Sequence, residues 1–92
     1  MAGEPLIFRV HAIQRMAQRA ISTGDVRLVL DSGEVIEDYP GDHPYPSALV
    51  LGWVGGRAIH VVVAISPSER IVITVYQPDP AHWEPDFKRR KP

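Results

Sequence analysis

Ten consecutive residues, Arg57-Ala58-Ile59-His60-Val61-Val62-Val63-Ala64-Ile65-Ser66, constrain this chain more than any others. Most are β-branched or small, with Gly55-Gly56 in front and Pro67-Ser68 behind, so they read as a strand held between two turns. Side chains alternate across a strand. Ile59, Val61, Val63 and Ile65 therefore share one face, and Ala58, His60, Val62 and Ala64 share the other. Both faces are apolar apart from one imidazole, which places the strand in the middle of a sheet, paired on both sides. His60 is the one titratable group set into that strand, and so it is the first functional candidate.

With 92 residues the chain makes one domain, long enough to bury roughly two-thirds of its unfolded surface. There is no cysteine, hence no disulfide frame and no thiolate chemistry. No run approaches the roughly 18 apolar residues of a membrane helix. The N-terminus lacks the basic-then-apolar pattern of an export signal, so the cytoplasm is the expected location. Ten basic against eleven acidic side chains give a net charge of −1. A general nucleic-acid binder is more basic than this, so any phosphate contact must draw on a local cluster. Arg9, Arg15, Arg19 and Arg27 fall early, Lys88-Arg89-Arg90-Lys91 fall late, and the acids gather between Asp31 and Asp42.

Residues 1–8 form a lead-in, within which Leu6-Ile7-Phe8 suits a brief edge strand or a hydrophobic plug. Residues 9–20 read as a helix with Val10, Ala12, Ile13, Met16, Ala17 and Ala20 in one apolar arc. His11, Arg15 and Arg19 follow at i, i+4 and i+8 and make a ridge on the polar side. Ser22, with Asp25 three residues on, caps a second helix whose Val26, Val29 and Leu30 face inward. Gly33 is expected to end it as a left-handed terminator. Four strands follow: Glu34–Tyr39, Ser47–Val54, Arg57–Ser66 and Arg70–Gln77. Gly55-Gly56 is a tight hairpin turn, and the loop from Tyr39 to Pro46 holds three prolines. In the last strand Ile71, Ile73 and Val75 face one way, and Val72, Thr74 and Tyr76 the other. Trp83 is expected to dock on the body, and residues 87–92 to form a flexible basic tail. The expected architecture is a single α+β domain of two layers, a helical hairpin on a four-stranded, mainly antiparallel sheet. Its second face is open unless the tail or a partner covers it.

The stretch His11-Ala12-Ile13-Gln14-Arg15-Met16-Ala17-Gln18-Arg19-Ala20-Ile21-Ser22 resembles the opening signature of an uncharacterised bacterial family, a domain of unknown function. Gly33-Glu34-Val35-Ile36-Glu37-Asp38-Tyr39-Pro40, Ile59-His60-Val61-Val62 and Ile73-Thr74-Val75-Tyr76 fit the same pattern, so the resemblance covers about residues 8–86. The family usually shows glycine where this chain has Ala20. Its layout is similar to that of the RelE-like and BrnT-like toxin ribonucleases. The resemblance therefore implies a toxin-type endoribonuclease, with RNA as substrate and a small antitoxin as partner.

Each candidate residue has a functional reading and a plain one. Cleaving RNA without a metal needs a base for the 2′-OH, an acid for the leaving oxygen and cations for the phosphate charge. His11, Arg15 and Arg19 supply a histidine and two cations, yet the same ridge also describes the wet face of an amphipathic helix. His60 is either a catalytic imidazole or a core histidine with its ring nitrogens bonded. Tyr76 lies near His60 if the last two strands pair through a short turn. It then either contacts substrate or is an ordinary strand aromatic. His11, His43, His60 and His82 are scattered without metal-ligand spacing, and adjacent Glu37 and Asp38 point to opposite faces, so no metal and no cofactor is expected.

These residues compose a small metal-independent endoribonuclease in which His11 and His60 share acid and base duty. Arg15 and Arg19 hold the phosphate, and Tyr76 positions the substrate. The competing expectation is a non-catalytic module of the same fold that binds protein or nucleic acid. The two part on geometry: catalysis needs His60 within about 8 Å of His11 or of an arginine around an open hollow, and a helix ridge and a His60 face on opposite sides of the sheet would cost the enzyme its acid–base pair.

Overall fold

The protein is described here from a computed structural model covering residues 5–92; of the expected lead-in, residues 1–4 lie outside the described residues. In chain order the elements are β1 (Leu6–Phe8), α1 (Val10–Gln18), α2 (Thr23–Ser32), β2 (Glu34–Tyr39), β3 (Ser47–Val54), β4 (Arg57–Ile65) and β5 (Arg70–Tyr76). The sheet order is β1-β5-β4-β3-β2, which puts the valine-rich β4 at its centre. The class is α+β, as the sequence implies, but the sheet has five strands and is mixed rather than four-stranded and antiparallel. β2 to β5 form the antiparallel meander. β1 then pairs parallel with β5, from Leu6↔Arg70 to Phe8↔Val72. The pairing satisfies backbone groups that β5 would otherwise present as a bare edge. Arg70 N donates to Pro5 O and Arg9 N to Val72 O, at 3.0 and 3.1 Å.

One face of the sheet carries the helices. Val50, Ile59, Val61, Val63, Val72 and Val75 meet Ala12, Met16, Ile21, Val26 and Val29 in a single apolar core. The apolar arc expected on α1 is only partly used. Ala12 and Met16 are buried, whereas Val10 and Ile13 are 71% and 51% exposed. This nine-residue helix packs on β5, next to the sheet's short edge strand, so one flank has nothing beneath it.

Two bulges change which residues look which way, because one extra residue reverses the alternation beyond it. In β5 the register shifts between Val62↔Thr74 and Val63↔Val72, leaving Ile73 unopposed. Val72 and Val75 therefore both reach the helix-side core, while Ile71, Thr74 and Tyr76 share the other face; the strict alternation read from the sequence does not hold. In β2 the shift falls at Ile36, and Glu37 pairs with Leu49, which itself pairs with Val62 beside His60 on the second face.

The helix ends follow local chemistry. Ser22 Oγ accepts from Asp25 N, and Ser22 N donates to Asp25 Oδ2, both at 3.0 Å, a reciprocal cap for α2. Gly33 is not left-handed: its φ and ψ are −81° and −177°. A glycine is needed there for space, since a Cβ would lie 2.3 Å from Val29 O and 2.5 Å from Leu51 O. The left-handed residue is Ala20, with φ of 53°, at the exit of α1. Arg57 caps that exit, donating from Nη1 to Arg19 O and from Nη2 to Ala20 O, each at 3.0 Å.

The chain's own C-terminal residues cover the second face. Trp83 is only 4% exposed and forms a bridge with Arg90. Glu84 N donates to Arg89 O and Lys91 N to His82 O, at 2.8 and 2.9 Å. Residues 87–92, which read as a loose basic end, lie against the sheet, with Lys88 Nζ 3.0 Å from Glu34 Oε1 and Arg90 on Glu37. Among the described residues no helix is long and apolar enough to cross a membrane.

An L-residue held in the left-handed region loses about 1–2 kcal/mol, part of which glycine recovers despite its larger unfolded entropy. Ala20→Gly is therefore expected to raise stability by about 0.5–1 kcal/mol, a few degrees in thermal midpoint for a domain of this size. Gly52→Ala should do the reverse, because a Cβ there meets Val29 Cα at 2.9 Å; a loss of roughly 1–3 kcal/mol is expected. Thermal and urea unfolding of both variants checks the pair.

Candidate functional site

His60 is fully buried, and both its ring nitrogens are engaged. Nε2 lies 2.8 Å from Phe87 O and Nδ1 lies 3.2 Å from the Tyr76 hydroxyl. A carbonyl only accepts, so Nε2 carries the proton and donates to Phe87. Nδ1 is then a lone pair, and Tyr76 donates its hydroxyl proton to it. The Trp83 ring meets the imidazole edge-on with centroids 4.5 Å apart, and the Tyr76 ring does so at 5.2 Å. Burial pushes the His60 pKa down, opposed by the Phe87 hydrogen bond. Burial also pushes the Tyr76 hydroxyl up. Both shifts keep the pair neutral.

Glu37 anchors the segment that supplies Trp83 and Phe87. Arg90 donates from Nε and Nη2 to the two Glu37 oxygens at 2.9 and 3.0 Å, a bidentate pair. Its guanidinium also stacks 4.6 Å above the Trp83 ring. The Arg90 hydrogen bonds hold the Glu37 carboxyl below its ordinary range, and Tyr39 donates its hydroxyl to the same carboxylate.

Beyond the end of β5 lies an open hollow of about 420 Å³, lined by Arg15, Arg19, Tyr76, Gln77, Asp79, His82, Trp83 and Arg90. It takes residues from α1 on one face of the sheet and from the C-terminal segment on the other. Arg15 is half-buried and Arg19 exposed. Among the described residues neither has an acidic side chain within ion-pair distance. Arg90, by contrast, is committed to Glu37. Arg57 holds the exit of α1 beside the start of β4, which keeps Arg19 at the rim. Tyr76, whose hydroxyl donates to His60, lines the hollow as a residue.

Three of the residues singled out from the sequence, Arg15, Arg19 and Tyr76, therefore converge. His60 does not reach the hollow but backs it through Tyr76. His11 is exposed on α1 one turn before Arg15 and does not line the hollow. β4 sends Ile59 and Val61 toward the helices and His60 the opposite way, so the two histidines fall on opposite sides of the sheet. The sequence reading missed Asp79, His82 and Arg90 as members of one site. Their one visible signal is Trp83, whose need for burial pulls its neighbours onto the body. Among the described residues no group of three His, Asp or Glu side chains is placed to hold a metal ion.

The lowered His60 pKa has a signed consequence. The unfolded chain protonates first, near the ordinary value of 6.5. The stabilisation is complete above that value and is lost as pH falls from there through the lower folded pKa. Glu37 is also depressed, but its loss begins only near its ordinary 4.5. The urea midpoint is expected to fall between pH 7 and pH 5 in the native protein, and that slope to flatten in His60→Gln. A midpoint constant over this window would contradict the buried neutral ring.

No curated protein and no solved structure matches the chain. A family described as a domain of unknown function, DUF4258, matches residues 8–77, a shorter span than the 8–86 expected. That span holds Arg15, Arg19, His60 and Tyr76, while Asp79, His82, Trp83 and Arg90 lie beyond it. Covering well over half of the sequence, the match shows that the chain belongs to the DUF4258 family.

Proposed function

We propose that the protein is a small metal-independent endoribonuclease of toxin type that holds an RNA phosphodiester in the hollow beside Tyr76. The observation that carries this reading is the pairing of two guanidiniums, Arg15 and Arg19, which have no acidic partner among the described residues, with a hydroxyl backed by a buried imidazole. The arginines neutralise the phosphate and the charge that grows on it during attack. The Tyr76 oxygen accepts a hydrogen bond from the ribose 2′-OH, a contact DNA cannot make. As the 2′-oxygen attacks phosphorus, its proton moves to Tyr76 while the Tyr76 proton moves to His60 Nδ1. Phe87 O, already accepting from Nε2, supports the charge that His60 gains. His60 is thus a positioning residue acting through Tyr76, and the reading no longer needs His11.

A toxin-type protein requires a partner, here a small antitoxin. Residues 78–92 occupy the second sheet face, so the Arg15–Arg19 ridge is the surface left for it. The sealed state of His60 favours a second reading, a module that binds RNA in the same hollow without cutting it.

Incubation of purified protein with end-labelled RNA in EDTA tests both. The first reading expects fragments ending in 2′,3′-cyclic phosphate, DNA of the same sequence left intact, and cleavage slowed about 10²-fold by Arg15→Ala or Arg19→Ala. RNA that is bound but uncut would support the module instead. RNA neither bound nor cut would overturn both.

A further inference from the structure

Cleavage of a ribose–phosphate backbone needs a second proton transfer, to the oxygen that leaves. Guanidinium groups do not release protons in proteins, so Arg15, Arg19 and Arg90 do not supply it. Tyr76 is occupied on the attacking side. Of the four histidines, His60 is fully buried and His11 does not line the hollow. His43 precedes Ser47, whose partner Ala64 lies at the other end of β4 from His60. His82 alone lines the hollow, with its side chain 78% exposed and Nε2 4.0 Å from Asp79 Oδ2.

The backbone beneath His82 is tied on both sides. His82 N donates to Asp79 O and Lys91 N donates to His82 O, each at 2.9 Å. Asp79 is itself held by Ala81 N, which donates to Oδ1 at 2.9 Å. The next residue, Trp83, is packed against His60. The ring therefore hangs from a fixed turn over the hollow, and a carboxylate stands within ion-pair distance when the ring is charged. Imidazole is the side chain that both holds and gives up a proton near neutral pH.

We propose that His82 is the general acid that protonates the leaving 5′-oxygen, an assignment that rests on the ribonuclease reading of the hollow. The 2′-O–H bond breaks as its proton passes to Tyr76 and the Tyr76 proton passes to His60 Nδ1. The O2′–P bond forms, the P–O5′ bond breaks, and O5′ takes the proton of the His82 imidazolium. The products are a 2′,3′-cyclic phosphate and a 5′-hydroxyl. One proton has moved from His82 to His60; His82 regains its proton from water at the open hollow, and His60 Nδ1 returns its proton to the Tyr76 oxygen as Tyr76 gives up to water the proton it took from the 2′-OH. His82 lies outside residues 8–77, so this acid comes from the C-terminal segment rather than from the family-matched span.

Two substrates separate this role from a structural one. An RNA dinucleotide has an alkoxide leaving group that must be protonated. Uridine 3′-(4-nitrophenyl phosphate) releases 4-nitrophenolate, which leaves unassisted. In EDTA the native protein is expected to cleave both. His82→Gln should slow RNA cleavage by about 10²–10³-fold while changing cleavage of the nitrophenyl ester by less than about threefold. Equal losses on both substrates, or no loss on RNA, would overturn the acid role and leave the ribonuclease standing. Failure of the native protein to cleave either substrate would overturn the ribonuclease reading and the role of His82 with it.

Discussion

A single imidazole ring joins the centre of the sheet to the end of the chain. His60 projects from β4 to the face that the helices leave uncovered. Placing a polar ring among valines is costly unless its nitrogens are bonded. The nearest strand supplies one partner, the Tyr76 hydroxyl. The other comes from the C-terminal segment, whose Phe87 carbonyl takes the Nε2 proton. Phe87 itself has a positive φ of 57°. A non-glycine residue holds that conformation only where its surroundings fix it, and this one is fixed by His60 beneath and by the Trp53 ring 5.9 Å away. Burial of Trp83 on the imidazole adds the apolar area that makes the segment worth ordering.

Because the segment is held this way, the ends of α1 and β5 acquire a third wall, and the hollow exists. The charge within it is uneven for a reason. Arg90 belongs to Glu37 and Trp83 and works as a clamp, whereas Arg15 and Arg19, on α1 and at its C-cap, have no acidic side chain within ion-pair distance among the described residues, with Asp79 the one acid lining the same hollow. A chain of net charge −1 thereby gathers two arginines, Arg15 and Arg19, at the rim and wall of one hollow. The exposed flank of α1, with Val10 and Ile13, lies on another side of the same helix.

Much of the fold was legible because local chemistry and tertiary packing agree. The β4 pattern, the Ser22–Asp25 cap, the Gly55-Gly56 hairpin and the two-helix order all follow from short stretches of sequence. What was not legible depends on partners distant in sequence. Three residues, Leu6 to Phe8, carry too little pattern to announce a parallel partner more than sixty positions away. The bulge at Ile73 hides within the apolar run Ile71-Val72-Ile73, where a reversal of alternation leaves no compositional mark, and the bulge at Ile36 shows only as two adjacent apolar residues between acids. The site divides in the same way. Arg15 and Tyr76 sit on regular elements and Arg19 caps the end of α1, so their convergence follows from a helix over a strand. His82, Asp79 and Arg90 sit on irregular backbone whose path is set by Trp83, Glu37 and His60. His11 shares the helical ridge, but lies one turn too far from the strand end to join.

The central claim is that His60 is a neutral ring with a fixed tautomer, locked between Tyr76 and Phe87. Long-range proton–nitrogen correlation of the imidazole by NMR at neutral pH measures it directly. The account predicts one tautomer, with Nε2 protonated and slow to exchange with water and Nδ1 bare. Averaged nitrogen shifts from a ring sampling both tautomers, with rapid exchange at Nε2, would contradict it.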